Sequence, residues 1–100
     1  MEAPQAREVE RRLSMDNVNV SKKSRYYMIE ILLEGAMRCS DSDRDYCEDM
    51  YNNQAIGYTY ALSCSGIIDG FVFKELIYLI THKCYKLALG TFKHVLQDND

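Results

Sequence analysis

The sequence predicts an all-α protein, an antiparallel three-helix bundle built on a helical hairpin. Apolar residues recur every three to four positions through much of residues 21–97, which is the spacing of an amphipathic helix. The segment Gly66-Ile67-Ile68-Asp69 combines a glycine suited to end one helix with an aspartate suited to cap the next. Because such short connections join antiparallel neighbours, these two observations together predict the bundle.

The first helix is predicted over residues 22–39. Ser21 or Ser24 can cap it, because a side-chain oxygen accepts a hydrogen bond from first-turn amides that lack an intrahelical partner. Its apolar stripe comprises Ile29, Leu32, Leu33 and Ala36. Short polar residues at positions 40–43 favour a turn and end the helix.

The second helix is predicted over residues 45–65, where acidic side chains in the first turn suit the positive end of the helix dipole. Its apolar face comprises Cys47, Met50, Tyr51, Ala55, Tyr58, Ala61 and Leu62. Gly57 lies within this helix and costs about 1 kcal/mol relative to alanine. We therefore expect another helix to approach closely at Gly57, and Gly66 to end the helix in the left-handed conformation.

The third helix is predicted over residues 70–96, with Asp69 as its cap. It carries apolar residues on more than one side: Phe71, Val72, Tyr78, Leu79, Tyr85 and Leu89 lie off its main stripe. A helix of this kind is buried by more than one neighbour. Two explanations stay open: the helix is central in its own bundle, or another chain completes its second face.

Residues 1–20 lack a sustained apolar stripe, and residues 1–25 hold six basic residues against four acids. We expect a mobile basic amino-terminal arm over 1–20 and a single helical domain over 21–97. Residues 40–49 hold five acids against Arg44 alone. Each charged segment is either solvated or attracts an oppositely charged surface.

Cysteines at positions 39, 47, 64 and 84 are expected to be reduced in a cytoplasmic protein. Residues 1–15 are polar and charged and do not resemble a signal peptide, and no run approaches the ~18 apolar residues that span a bilayer. The net charge of −3 and pI of about 5.3 argue against general affinity for nucleic acid or anionic membranes.

The residues do not predict a metal site, a cofactor or a catalytic centre. No Cys-x-x-Cys pair is present, and His82 and Cys84, two apart, would point about 200° away from each other on a helix. Cys64 has neither a helix amino-terminus behind it nor an obvious histidine beside it to activate its thiol. We therefore expect a protein that is not an enzyme and takes no small-molecule substrate.

Two binding patterns also fail on particular residues. Asp41, Asp43 and Asp45 alternate as in a calcium loop, but Tyr46 stands where the loop requires glycine and Asn52 where it requires glutamate. A helix–turn–helix reader of DNA needs polar side chains at the start of its second helix. That start is Gly-Phe-Val-Phe-Lys-Glu here, so sequence-specific DNA binding is not expected.

Tyrosines provide the candidate binding face. Tyr51 and Tyr58 are seven residues apart on the second helix, and Tyr78 and Tyr85 are seven apart on the third, so each pair follows one side of its helix. Tyrosine joins an apolar ring to a polar tip, which suits a partly solvated contact surface. With Phe71, these residues form the predicted partner-binding set, unless the rings line the rim of the core.

We expect a non-enzymatic protein–protein interaction module, an inhibitor or adaptor of a larger cytoplasmic protein or a homo-oligomer. The alternative is a nucleic-acid-associated regulator that places the basic arm on phosphates and uses the bundle to dimerise. Over residues 45–90 this small acidic helical chain, with its Gly-Ile-Ile-Asp corner, resembles accessory proteins encoded by bacteriophages and prophages. Some of those block host defence or redirect host machinery, so the resemblance implies an inhibitor or adaptor rather than a metabolic enzyme.

Overall fold

The structure, a computed structural model, describes residues 21–97, which form four α-helices and contain no strand. They are α1 (Lys22–Asp41), α2 (Asp45–Cys64), α3 (Gly70–Thr81) and α4 (Tyr85–Gln97). The predicted all-α class is confirmed. The arm predicted over residues 1–20 lies outside the described residues. None of the described helices has the length and apolar character needed to cross a membrane.

Three local signals in the sequence act as predicted. The Ser24 amide donates to Ser21 Oγ at 3.1 Å, and the Val72 amide donates to Asp69 Oδ1 at 2.8 Å, so both caps supply first-turn amides with an acceptor. Gly66 adopts a φ of 74° between α2 and α3. A glycine suits this left-handed conformation because it has no Cβ to collide with the backbone.

α1 and α2 run in opposite directions, and all four helices share one core. Contacts between α1 and α2 run in opposite order along the two helices: Arg25 near the start of α1 contacts Tyr58 near the end of α2, and Cys39 near the end of α1 contacts Cys47 near the start of α2. α1 also packs against α4, and α3 packs against α2 and α4. The fully buried large side chains are Phe92, Ile29, Leu33, Leu76, Ile80, Leu96 and Thr59. All four helices therefore contribute to one core.

The predicted count of three helices is wrong, because the segment predicted as one helix over 70–96 forms two. The chain turns at Lys83, whose φ is 61°. The Cys84 amide donates to the Leu79 carbonyl at 2.8 Å, and the Lys83 amide donates to the Ile80 carbonyl at 3.0 Å. This pair of bonds is a Schellman ending, the motif that also ends α2 at Gly66.

Tertiary hydrogen bonds hold this unexpected turn. Asn52 Nδ2 of α2 donates to the Ile80 carbonyl at 2.8 Å, in the last turn of α3. Lys83 Nζ lies 3.5 Å from Glu48 Oε1, also on α2. Lysine does not favour the left-handed region by itself, so these bonds to α2 help to place the break. No glycine or proline lies near Lys83 in the sequence to indicate that the helix ends there.

The close approach of helices occurs at a different glycine from the one expected. A Cβ added to Gly57 would meet nothing within 4 Å, whereas a Cβ added to Gly35 would lie 2.8 Å from ring atoms of Tyr51. Gly35 is buried on α1, and the Tyr51 ring packs over it. The absence of a side chain at Gly35 therefore makes room for an aromatic ring from α2.

Cys39 and Cys47 form a disulfide, contrary to the expectation that the thiols are reduced. Their Cα atoms are 5.7 Å apart, because the short connection folds the start of α2 back onto the end of α1. Cys64 and Cys84 are free. The expectation of reduced thiols rested on the polar amino-terminal sequence and on the lack of a bilayer-spanning apolar run, neither of which bears on the distance between two helices.

Candidate interaction surface

The solvent-facing side of α3 carries two exposed aromatic rings. Leu76 and Ile80 point to the core and are fully buried, while Phe71 is 79% exposed and Tyr78 is 60% exposed. At about 100° of rotation per residue, Phe71 and Tyr78 lie within about 20° of each other, on the side opposite the core. We call this side the outer face of α3; its exposed residues are Phe71, Lys74, Glu75, Tyr78, Thr81 and His82.

The ring of Tyr78 is held in place by its neighbour one turn along. The rings of Tyr78 and His82 stack with centroids 4.1 Å apart and an interplanar angle of 29°. His82 Nδ1 lies 2.8 Å from the Tyr78 carbonyl oxygen, which fixes the imidazole on the last turn of α3. A ring that is already positioned loses less conformational entropy when a partner binds it.

The outer face carries one basic and one acidic residue, which are adjacent in sequence. Lys74 and Glu75 lie on opposite sides of the Phe71 and Tyr78 rings, and neither side chain makes a hydrogen bond or ion pair within the described part of the chain. Paired opposite charges around an apolar centre are typical of a protein contact surface with a polar rim. A surface for nucleic acid would instead concentrate basic residues.

The remaining three predicted residues do not share this face. Tyr58 is half-buried, and its hydroxyl donates to the Arg25 carbonyl at 3.2 Å; burial raises the pKa of Tyr58, partly offset by the charge of Arg25. Tyr51 is half-buried over Gly35. Both rings are packed against the core, so neither is as accessible as Phe71 or Tyr78.

Tyr85 is a core residue, which corrects the expectation that it follows one helix side with Tyr78. The break at Lys83 separates the two residues into different helices, and Tyr85 is only 4% exposed. Its hydroxyl donates to Glu48 Oε2 at 2.8 Å and accepts from Asn52 Nδ2 at 3.0 Å. A partner cannot reach this ring without opening the bundle.

The buried cluster around Tyr85 joins α2 to the α3–α4 turn. Glu48 is 2% exposed and accepts from Tyr85 and from Lys83 Nζ. Burial, with the hydrogen bond and charge of Glu48, raises the pKa of Tyr85 to about 12 despite the opposing bond from Asn52. Within residues 21–97 every buried side-chain nitrogen or oxygen has a hydrogen-bond partner. A satisfied and closed cluster of this kind rigidifies a core.

A groove between α3 and α4 adjoins the outer face. It has a volume of about 490 Å³ and is lined by Val72, Leu87, Gly90 and Val95, with Glu75 at the edge shared with the outer face. Leu87 is 65% exposed. On one unbroken helix over 70–96, Leu87 would fall on the same side as the buried Leu76 and Ile80. Helical periodicity counted afresh from Tyr85 instead places Leu87 away from the buried Ala88 and Phe92.

Other exposed apolar side chains are dispersed over the described helices. Tyr46 and Tyr60 lie on α2, and Tyr27, Met28 and Ile31 form a short row on α1. Tyr60 contacts Phe73 edge-to-face with centroids 4.8 Å apart. Among residues 21–97 no group of three or more His, Cys, Asp or Glu side chains is arranged to hold a metal ion.

Comparisons of this chain with protein-family models, with curated proteins and with solved structures found no match.

Proposed function

We propose that this chain is a non-enzymatic protein–protein interaction module, an inhibitor or adaptor that acts on a larger cytoplasmic protein through the outer face of α3. The observation that carries the proposal is the position of Phe71 and Tyr78, the two rings at the centre of the side of α3 that faces away from the core. A lone four-helix domain gains nothing in stability from rings held in water.

The geometry of the two rings defines what they would bind. Seven residues of helix separate them by about 10 Å along the axis, and Lys74 and Glu75 lie between them on either flank. The matching surface on a partner is a pair of apolar pockets at that spacing, with one acidic and one basic group beside them. The resemblance proposed from the sequence, to phage accessory proteins of which some block host defence or redirect host machinery, predicts such a role.

Buried aromatic anchors supply most of the binding energy of many interfaces, at about 2 kcal/mol or more each. Removing both rings is therefore expected to weaken binding by about 4 kcal/mol, roughly a thousandfold. Both side chains are exposed, so their removal leaves the core packing unchanged. These two expectations separate loss of binding from loss of folding.

The experiment compares capture of partner proteins from host lysate by the wild-type chain and by Phe71→Ala/Tyr78→Ala. The matched control is Tyr27→Ala/Tyr46→Ala, which removes two rings that are 61% and 86% exposed on other helices. A protein retained by wild type and control but lost by the α3 variant, with far-UV circular dichroism unchanged, supports the proposal. Equal loss in both variants, or retention by both, would overturn it.

Salt dependence separates this function from the nucleic-acid-associated alternative. Phosphate contacts by a basic arm release counterions, so binding would fall steeply as salt rises. Docking through two aromatic rings depends mainly on apolar burial and changes little over the same range. The measured slope of affinity against salt concentration therefore decides between the two.

A further inference from the structure

We propose that the outer face of α3 binds the same face of a second copy, so that two α3 helices pack in parallel about a two-fold axis in a weak, reversible homodimer. The inference deepens the proposed function, because it rests on the outer face being a docking surface: in the free protein a second copy occupies this face, and the larger partner must displace that copy to bind. The charge pattern of the face carries the choice of occupant and of orientation.

The outer face has an aromatic ridge with one charge on each flank. At about 100° per residue, Phe71, Tyr78 and His82 lie within about 40° of arc and form the ridge. Lys74 lies about 60° to one side of Phe71, and Glu75 about 40° to the other side. The two charges are adjacent in sequence, so they lie at nearly the same height on the helix.

A two-fold axis parallel to α3 brings opposite flanks of the two copies together. Lys74 of each copy then faces Glu75 of the other, which makes two ion pairs, and Phe71 and Tyr78 each meet their own counterpart across the axis. In an antiparallel pair centred on the same residues, like flanks meet, so that Lys74 faces Lys74 and Glu75 faces Glu75. The charges therefore favour the parallel dimer and oppose the antiparallel one.

The area of the face determines the strength expected. A large aromatic side chain buries about 150–250 Å², so Phe71 and Tyr78, partly exposed as they are, supply roughly 550 Å² in two copies. Stable interfaces bury about 1,200–2,000 Å². The area buried by the two rings together with Lys74, Glu75 and His82 falls below this range. The dimer is accordingly a weak one that forms as the protein concentration rises.

Sedimentation equilibrium of the full chain tests the dimer by exchanging the charges at positions 74 and 75. All forms carry Cys64→Ser, which excludes cross-linking through the exposed thiol. Lys74→Glu alone or Glu75→Lys alone puts like charges at both contacts and should weaken self-association at least about fivefold. A mixture of the two variants should form a heterodimer, and the double variant Lys74→Glu/Glu75→Lys should recover wild-type association. Damage to folding cannot produce this recovery.

Neutralisation determines the orientation. Lys74→Gln removes two attractions from the parallel dimer and should weaken it about twofold or more; in an antiparallel dimer it would remove a repulsion and strengthen association. Strengthening, failure of the charge exchange, or a monomer at every concentration would each overturn the inference. The capture experiment with Phe71→Ala/Tyr78→Ala is independent of these results. If the wild-type chain is a monomer and this variant still fails to capture the partner, the homodimer is refuted and the proposed function stands.

Discussion

Tyr85→Phe isolates the buried hydroxyl that links α4 to α2. The substitution keeps the aromatic ring in the core and removes one donor to Glu48 and one acceptor from Asn52. Asn52 retains its bond to the Ile80 carbonyl, but the buried carboxylate keeps only Lys83, at 3.5 Å. A hydrogen bond to a charged group contributes about 1.5–3 kcal/mol, so we expect the variant to lose about 2–3 kcal/mol at pH 7.

The pH dependence of stability tests the buried environment of the same hydroxyl. The pKa of Tyr85 rises from 10.0 in the unfolded chain to about 12 in the fold, so the folded state holds the phenolic proton more tightly. This contribution is complete below pH 10 and is lost as the pH rises through 12. A difference of two pKa units corresponds to about 2.7 kcal/mol, and burial of the hydroxyl is its largest cause, ahead of the bond to Glu48.

Urea denaturation followed by far-UV circular dichroism measures both quantities. At pH 7 the free energy of unfolding of the variant should be lower than that of wild type by about 2–3 kcal/mol. The difference in the free energy of unfolding between wild type and variant should shrink between pH 10 and pH 12, because the wild-type hydroxyl ionises in the unfolded chain before it does so in the fold. Tyr46→Phe, at an 86% exposed ring, is the control and should change neither. A loss below about 0.5 kcal/mol at pH 7, or a difference that stays constant to pH 12, would refute the reasoning.

Three further predictions test the α1–α2 hairpin by thermal unfolding. Gly57→Ala should stabilise the domain by about 1 kcal/mol, because alanine is the better helix former and the site is open. Gly35→Ala should destabilise the domain, because the new methyl group lies 2.8 Å from the Tyr51 ring. Equal effects of the two substitutions on stability would contradict this packing. Asp43→Gly should stabilise by about 1 kcal/mol, since Asp43 adopts a φ of 54°, and a loss of stability would contradict that account. Cys39→Ser/Cys47→Ser should cost about 2.5 kcal/mol, the chain entropy of a loop this short, and an unchanged Tm would contradict a stabilising disulfide.

Short-range signals account for the parts of the fold that could be read from the sequence. Ser21, Gly66 and Asp69 act through atoms within a few residues of themselves, so their chemistry does not depend on the rest of the bundle. Helical periodicity likewise marks which residues face inward along one helix. These features gave the helical class and the starts of α1 and α3.

The candidate surface was only partly predictable for the same reason. Phe71 and Tyr78 were among the predicted binding residues, and their exposure depends on the direction in which α3 faces the core. Periodicity cannot separate Tyr78 from Tyr85 unless the break between them is known. That break has Lys83 in a conformation that lysine does not prefer. It is held by a bond from Asn52 to the Ile80 carbonyl and a bond from Lys83 to Glu48, whose α2 residues lie some thirty positions earlier in the chain.

The sequence by itself determined that residues 21–97 are helical, where the caps lie and that the last third of the chain is unusually apolar. Each of these follows from side-chain size, polarity and spacing along one segment. Only the tertiary structure decided which apolar residues are left in water, which glycine admits a ring, and where the last helix divides. Those outcomes depend on contacts between segments distant in sequence, whose free energies outweigh local preference and leave no local pattern.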